Sequence, residues 1–222
     1  MGHVIAIDGP AGAGKSTIAR LLAEKLGYIY IDTGAMYRAV ALWAQRTQTS
    51  ASDVQRLEQL AISADIELLP QSRVLLNGED VTDAIRTPEI SALASQVASV
   101  GAVRVAMVAK QRRIAENASV VAEGRDIGSV VFPGARVKIF LDAHPRERVR
   151  RRAGELPDEP PETLAAQIAE RDQRDRNRIE SPLLQAPDAT YLDSTGLTPQ
   201  QVEDAILKIV RARISNGGAH AA

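Results

Sequence analysis

The segment from Val4 to Leu26 constrains the fold more than any other part of the chain. A β-branched apolar run, Val4-Ile5-Ala6-Ile7, ends at Asp8 and passes into Gly9-Pro10-Ala11-Gly12-Ala13-Gly14-Lys15-Ser16. Beyond it, Ile18, Leu21, Leu22 and Leu26 recur at helical spacing from Lys15 onward. Gly27 supplies the C-terminal stop. A strand, a turn matching G-x-x-x-x-G-K-[ST] at every fixed position and a helix are together the parts of a phosphate-binding loop. Glycines let the backbone wrap so that successive N–H groups point at phosphate oxygens. The helix adds its positive end and its free N–H groups. Lys15 reaches the β- and γ-phosphates as a point charge, and Ser16 offers a hydroxyl to Mg²⁺. The expected triphosphate set is Gly9, Pro10, Ala11, Gly12, Ala13, Gly14, Lys15, Ser16 and Thr17.

Four further strand-like runs follow: Tyr28–Ile31, Val120–Ala122, Val137–Leu141 and Thr190–Leu192. Near-continuous apolar runs of this kind suit strands buried on both faces of a parallel sheet. The fold class expected is α/β, a five-stranded parallel sheet flanked by helices. Asp8, Asp32, Glu123, Asp142 and Asp193 close the five runs, at the strand ends where ligands collect in open α/β sheets. Helices are expected over Ala35–Arg46, from Thr87-Pro88 onward, over Ala102–Asn117 and from Thr198-Pro199 to about Ile214. Between Asp65 and Val81 the rhythm breaks into short alternating runs around Asn77-Gly78, an inserted antiparallel meander. Pro145 to Asn177 is densely charged, and the prolines of Glu155–Pro161 divide it into two helices. The tail 216–222 is small and polar and is expected to be disordered.

Several function classes drop out on composition. There are no cysteines, which excludes disulfides, thiolate metal sites and a cysteine nucleophile. His3, His144 and His220 are scattered, so no histidine metal cluster is expected. A net charge of -1 argues against a dedicated nucleic-acid binder. No signal-peptide pattern and no apolar stretch of membrane-spanning length is present, and a cytoplasmic location is the expectation. Arginine supplies nearly all the positive charge; its rigid donor fork suits phosphate, although a GC-rich genome would also favour it.

The loop alone says only that a nucleoside triphosphate binds. A guanine-reading N-K-x-D is missing, and the D-x-x-G at Asp193–Gly196 follows the last strand, where a GTPase would not place it. A kinase must also hold an anionic acceptor in line with the γ-phosphate, which calls for several cations and exclusion of water. Arg38, Arg104, Arg125 and the run Arg171–Arg178 are the candidates. Arg125-Asp126 follows a buried strand and reads as functional rather than as a surface ion pair. The Arg171–Arg178 run also fits a solvated helix face, but its alternation continues past the helix into Ser181-Pro182. Tyr37 fits either the core or the site.

The phosphate loop, Asp32-Thr33-Gly34-Ala35-Met36-Tyr37-Arg38, Ser95-Gln96-Val97, Glu123-Gly124-Arg125-Asp126-Ile127-Gly128 and Arg171-Asp172-Gln173-Arg174-Asp175-Arg176-Asn177-Arg178 occur in that order. Together, from about Val4 to Ile214, they resemble the bacterial cytidylate kinases. That resemblance implies transfer of the ATP γ-phosphate to CMP or dCMP, with Mg²⁺. It implies an acceptor phosphate held by Thr33, Tyr37, Arg38, Arg125 and Arg178, with Lys15, Arg125 and Arg178 serving the transfer. It gives Ser95, Arg104 and Asp126 to the cytosine, and Arg171 and Asp175 to the sugar. It implies a core at about 1–34, 114–145 and 183–214, and an acceptor-binding region at about 35–113 with its meander at 63–86. A lid at about 146–178 and a flexible tail at 215–222 complete the division. Thr33 stands where Ser is also found and Glu123 where Asp is frequent, each keeping the functional group. The proline-rich segment Glu155–Glu162 suggests a stiff lid. No nucleic-acid or membrane partner is expected, and a monomer is the simplest state. A kinase for another nucleotide or for a hydroxylated metabolite, and a regulatory nucleotide-binding module, remain the alternatives.

Overall fold

The structure is a computed structural model, and it describes residues 2–215. The elements in chain order are β1 (Val4–Asp8), α1 (Lys15–Leu26), β2 (Ile29–Asp32), α2 (Thr33–Arg46), α3 (Val54–Ser63), β3 (Ile66–Leu69), β4 (Arg73–Leu76) and β5 (Glu79–Asp80). They continue with α4 (Pro88–Val97), α5 (Gly101–Ala115), β6 (Val120–Gly124), β7 (Val137–Asp142), α6 (Pro145–Glu155), α7 (Pro161–Asn177), β8 (Thr190–Asp193) and α8 (Pro199–Ser215). The expected tail, 216–222, lies outside the described residues.

β2, β6, β1, β7 and β8 form, in that spatial order, the five-stranded parallel sheet. β1 pairs in parallel with β6 on one side and β7 on the other. The chain leaving β1 goes to β2, while the strand beside β1 is β6, so the connections diverge next to the phosphate loop. Such a switch point opens a crevice at the carboxyl ends of the strands. Each expected strand is found: β1, β7 and β8 each gain the acid that closes the run, β6 runs on through Gly124, and β2 is shifted by one residue, to Ile29–Asp32 instead of Tyr28–Ile31.

The chain divides into two compact units, residues 31–114 and the remainder. In the larger unit, Ile5 and Ile7 of β1, Val121, Ile139 and Leu141 pack with Ile18 and Leu22 of α1 and Val202, Ile206 and Val210 of α8. Burying these side chains is the main stabilising contribution. α8 begins with a reciprocal cap: the Gln201 amide donates to Thr198 Oγ1 (3.2 Å), and the Thr198 amide donates to Gln201 Oε1 (2.9 Å).

In the smaller unit, Asp32 caps α2, accepting from the Ala35 amide at 2.7 Å, so that helix starts two residues before the expected Ala35. The meander is present as β3-β4-β5, turned at Asn77-Gly78 with φ of 52° and 81°, the left-handed pair such a two-residue hairpin needs. Thr87 caps α4 and Pro88 occupies its first turn, as expected. α5 ends at Ala115, before the expected Asn117. α3 was not anticipated. It is capped by Asp53 and buries only Leu57, Leu60 and Ala61, too narrow an apolar stripe to stand out in the sequence. Among the described residues no single helix is long and apolar enough to cross a membrane; α4 and α5 meet that measure only as a pair bent by 101°.

Candidate active site

In the larger unit the phosphate loop springs from β1. A Cβ on Gly9 would lie 1.9 Å from the Leu141 carbonyl oxygen, so only glycine lets the loop leave the sheet there. Lys15 opens α1, is buried, and donates from Nζ to the Pro10 carbonyl at 2.6 Å. Its burial, and the positive charge of Arg125, push its pKa down to about 7. Glu123, at the end of the neighbouring β6, works against that shift and accepts a hydrogen bond from Tyr30 Oη at 2.8 Å. Ser16 and Thr17 are exposed on the first turn of α1.

Asp8 ties the loop's strand to the turn after β6. Its two carboxylate oxygens accept from the Ile127 and Gly128 amides, each at 2.7 Å. Burial raises its pKa to about 6 despite those two bonds. The buried Asp126 stands at the start of that turn.

Arg125, Asp175 and Arg178 form one cluster beside them. Arg125 Nε donates to Asp175 Oδ2 at 2.8 Å, and Arg178 Nη1 lies 3.8 Å from Asp175 Oδ1. Burial opposes charge on Asp175, but Arg125, Arg171 and Arg178 outweigh it and hold the carboxyl below its usual range. Burial likewise opposes charge on Arg125, and Asp175 outweighs it, holding the guanidinium above its ordinary value. Arg178 lies just past α7 and donates from Nη2 to the Ser181 carbonyl at 2.6 Å. Arg174 pairs with Glu170, and Arg176 is exposed.

The smaller unit gathers its own set. Arg38 Nη2 reaches Asp32 Oδ2 at 3.3 Å, and Asp32 caps the helix that carries Thr33, Tyr37 and Arg38. Arg104 of α5 is buried, donates from Nη1 to the Ala98 carbonyl at 3.2 Å and sits over the Tyr37 ring at 5.5 Å. This contact holds a planar cation on an aromatic face. Tyr37 is therefore both a core residue and a platform. Ser95 is buried on α4.

Sequence reasoning missed a set of phosphate-loop neighbours. Arg148 and Arg151 of α6, Asp172 of α7 and Ser194 after β8 all bond to the loop's main chain. The D-x-x-G stretch at Asp193–Gly196 therefore does meet the phosphate loop, through the Ser194 hydroxyl on the Ala13 carbonyl at 3.3 Å. Two arginines three residues apart, one helix after a strand end, were the only available signal. Among the described residues no three or more His, Cys, Asp or Glu side chains cluster as a metal cage. Mg²⁺ needs no such cage: it takes hard oxygens, usually one or two carboxylates plus substrate phosphates. The Ser16 hydroxyl and the Glu123 carboxylate are of that type.

A parallel sheet with this strand order, a phosphate loop at its switch point and partly buried arginines acting on the loop lysine define a P-loop kinase. Residues 5–212 match the family model described as Cytidylate kinase. The chain belongs to the cytidylate kinase family. It is 64% identical over 220 residues to the cytidylate kinase of Solibacter usitatus (strain Ellin6076), covering 96% of this chain and 94% of that one. It is 46% identical over 223 residues to a bifunctional pantoate ligase/cytidylate kinase of Synechococcus sp. (strain WH7803), where it spans 96% of its own length and 45% of the relative's. An uncharacterized protein from Eubacterium ventriosum ATCC 27560 shares the fold, with a TM-score of 0.55 at 14% identity over 95% of this chain and 99% of that one.

Proposed function

We infer that this chain is an ATP:(d)CMP phosphotransferase. It moves the γ-phosphate of ATP onto CMP or dCMP, giving ADP and CDP or dCDP. The observation that carries the reading is the pairing of a complete phosphate loop with the Arg125–Asp175–Arg178 cluster, whose Arg125 acts on the buried loop lysine. Residues Gly9 to Thr17 cradle the triphosphate. The Ser16 hydroxyl and the Glu123 carboxylate are the groups that would hold Mg²⁺, which would supply charge neutralisation when bound with ATP. The acceptor is already an anionic phosphate, so no general base is required. Lys15, Arg125 and Arg178 offset the charge that gathers on the transferred group, in a place from which water is excluded.

Thr33, Tyr37, Arg38, Arg125 and Arg178 hold the acceptor phosphate, and Arg171 and Asp175 the sugar. Ser95, Arg104 and Asp126 read the base. Cytosine presents an amino donor beside two acceptors; a carboxylate takes the first and a guanidinium serves the others. Uracil puts a carbonyl where the amino group was, which leaves buried acceptors opposed and costs on the order of 1–3 kcal/mol. Residues 146–178 act as the lid, 35–113 as the acceptor region, and 1–34, 114–145 and 183–214 as the core. The enzyme works as a monomer in the cytoplasm, without nucleic-acid or membrane partners.

The deciding assay compares CMP, dCMP, UMP and AMP as acceptors with ATP and Mg²⁺. Phosphorylation confined to the cytosine nucleotides is expected. Equal turnover of UMP or AMP, or transfer to none of the four, would sink the assignment.

A further inference from the structure

The phosphate loop turns N–H groups toward its ligand, and the carbonyls on its other side need donors of their own. α6 supplies two. Arg151 Nη1 donates to the Ala13 carbonyl at 3.0 Å and is itself braced by Ser194 Oγ (3.0 Å) and the Ser194 carbonyl (2.8 Å). Arg148, one helical turn earlier, donates from Nη1 to the Ala11 carbonyl at 3.1 Å and from Nε to the Ala143 carbonyl at 3.2 Å. α6 lies so close here that a Cβ on Gly12 would meet the Arg148 Cβ and carbonyl oxygen at 3.0 Å, while Gly12 also needs a φ of +75°.

Arg148 has a second partner, Asp172 of α7, through the same Nη1. The other oxygen of that carboxylate, Oδ1, accepts from the Ala11 amide at 3.1 Å. Ala11 is thus gripped at both main-chain groups, one by each member of a buried ion pair whose side chains are 9% and 5% exposed. A buried pair of this kind adds little net stability over apolar residues of the same size, and so argues for a geometric role.

The place of Asp172 on α7 suggests that role. Arg171 precedes it, and Asp175, which holds Arg125 at 2.8 Å, comes one turn later. We propose that Arg148 and Asp172 are positioning residues which fasten α7 to Ala11, so that seating the ATP phosphates also sets Arg171, Asp175 and Arg125 toward the acceptor. This rests on the acceptor roles given above to those three residues. Any displacement of the loop on nucleotide binding is transmitted along a single turn of helix. Arg148 and Asp172 act through the loop main chain and α7, which they join.

The test measures CMP affinity with and without a bound non-hydrolysable ATP analogue, alongside steady-state kinetics and thermal melting. The wild-type protein is expected to bind CMP about fivefold or more tighter when the analogue is bound. Arg148→Met and Asp172→Ala each remove that tightening and raise KM for CMP. The double change Arg148→Met/Asp172→Leu replaces the pair by apolar side chains and keeps the fold even where a single change, leaving one buried charge, does not. Loss of the tightening in a double variant that melts within a few degrees of wild type supports the proposal, as does a double variant no worse than the poorer single one. Tightening of wild-type size in the folded double variant, or none in the wild type, overturns it. A wild type that neither binds nor phosphorylates CMP overturns the acceptor assignment, and the proposal with it.

Discussion

Lys15 gives the sharpest prediction, because its charge state changes when ATP arrives. In the free protein, burial and the nearby Arg125 depress its pKa to about 7. An ordinary lysine titrates near 10.4. Phosphate oxygens at Nζ favour the charged form, so the bound pKa returns toward that of an ordinary lysine. At pH 8 the free lysine is only about one-tenth charged and the bound one almost wholly so, which makes binding take up about 0.9 proton. At pH 7 the uptake is about half a proton. The sign follows from the depressed free-state pKa: ATP affinity falls as pH rises above 7, by about fivefold between pH 7 and 8 and approaching tenfold per unit beyond that. Calorimetric titration with a non-hydrolysable ATP analogue at pH 8, in two buffers of different ionisation enthalpy, reads the proton count directly. An uptake below about 0.2 proton there would refute the reasoning, since it would mean that Lys15 is already charged in the free protein.

Three further outcomes are expected. Asp126→Ala relaxes or destroys the choice of base, read as the ratio of kcat/KM for CMP to that for UMP; an unchanged ratio moves the specificity role elsewhere. Gly9→Ala, which sets a methyl 1.9 Å from the Leu141 carbonyl oxygen, destabilises the fold by about 3 kcal/mol or more in urea unfolding, and a loss under 1 kcal/mol contradicts the close approach. Tyr30→Phe frees Glu123 Oε1 of its 2.8 Å partner and lowers kcat by roughly three- to tenfold at unchanged melting temperature, an effect of one hydrogen bond to a charged group; kcat equal to wild type would make the pair structural only.

What could be read from the sequence was whatever the chain writes locally. The inner strands β1, β6 and β7 announce themselves as apolar runs closed by an acid, because a strand covered on both faces has no polar side to dilute the signal, and the partly exposed edge strands β2 and β8 are shorter versions of the same pattern. The phosphate loop is equally local, since eight consecutive residues carry strand end, turn and helix start. α3 escaped because its buried stripe is only three residues deep. The grip on the phosphate loop escaped for a different reason. Arg148 and Arg151 bind main-chain carbonyls 137 and 138 residues away, and a carbonyl leaves no trace in a sequence. Asp172 stood inside the Arg171–Arg178 run without a role, since a charge-rich helix looks the same whether its carboxylates face water or a backbone amide. Arg104 was named as a base reader, but its seat on the Tyr37 ring joins two helices that no local pattern pairs.

Asp8 sets a dimension of the catalyst. One residue before the phosphate loop, it clasps the two amides that follow Asp126. The donor cradle and the Arg125-Asp126 turn therefore hang from opposite ends of a single short side chain, and the gap between them is gauged by its one methylene. Reaction between bound groups depends on a separation of about 3–3.5 Å held to a fraction of an ångström. A glutamate at position 8 would conserve charge and hydrogen-bonding capacity while spoiling that gauge. The side chain's length, rather than its chemistry, is what the in-line transfer would be sensitive to.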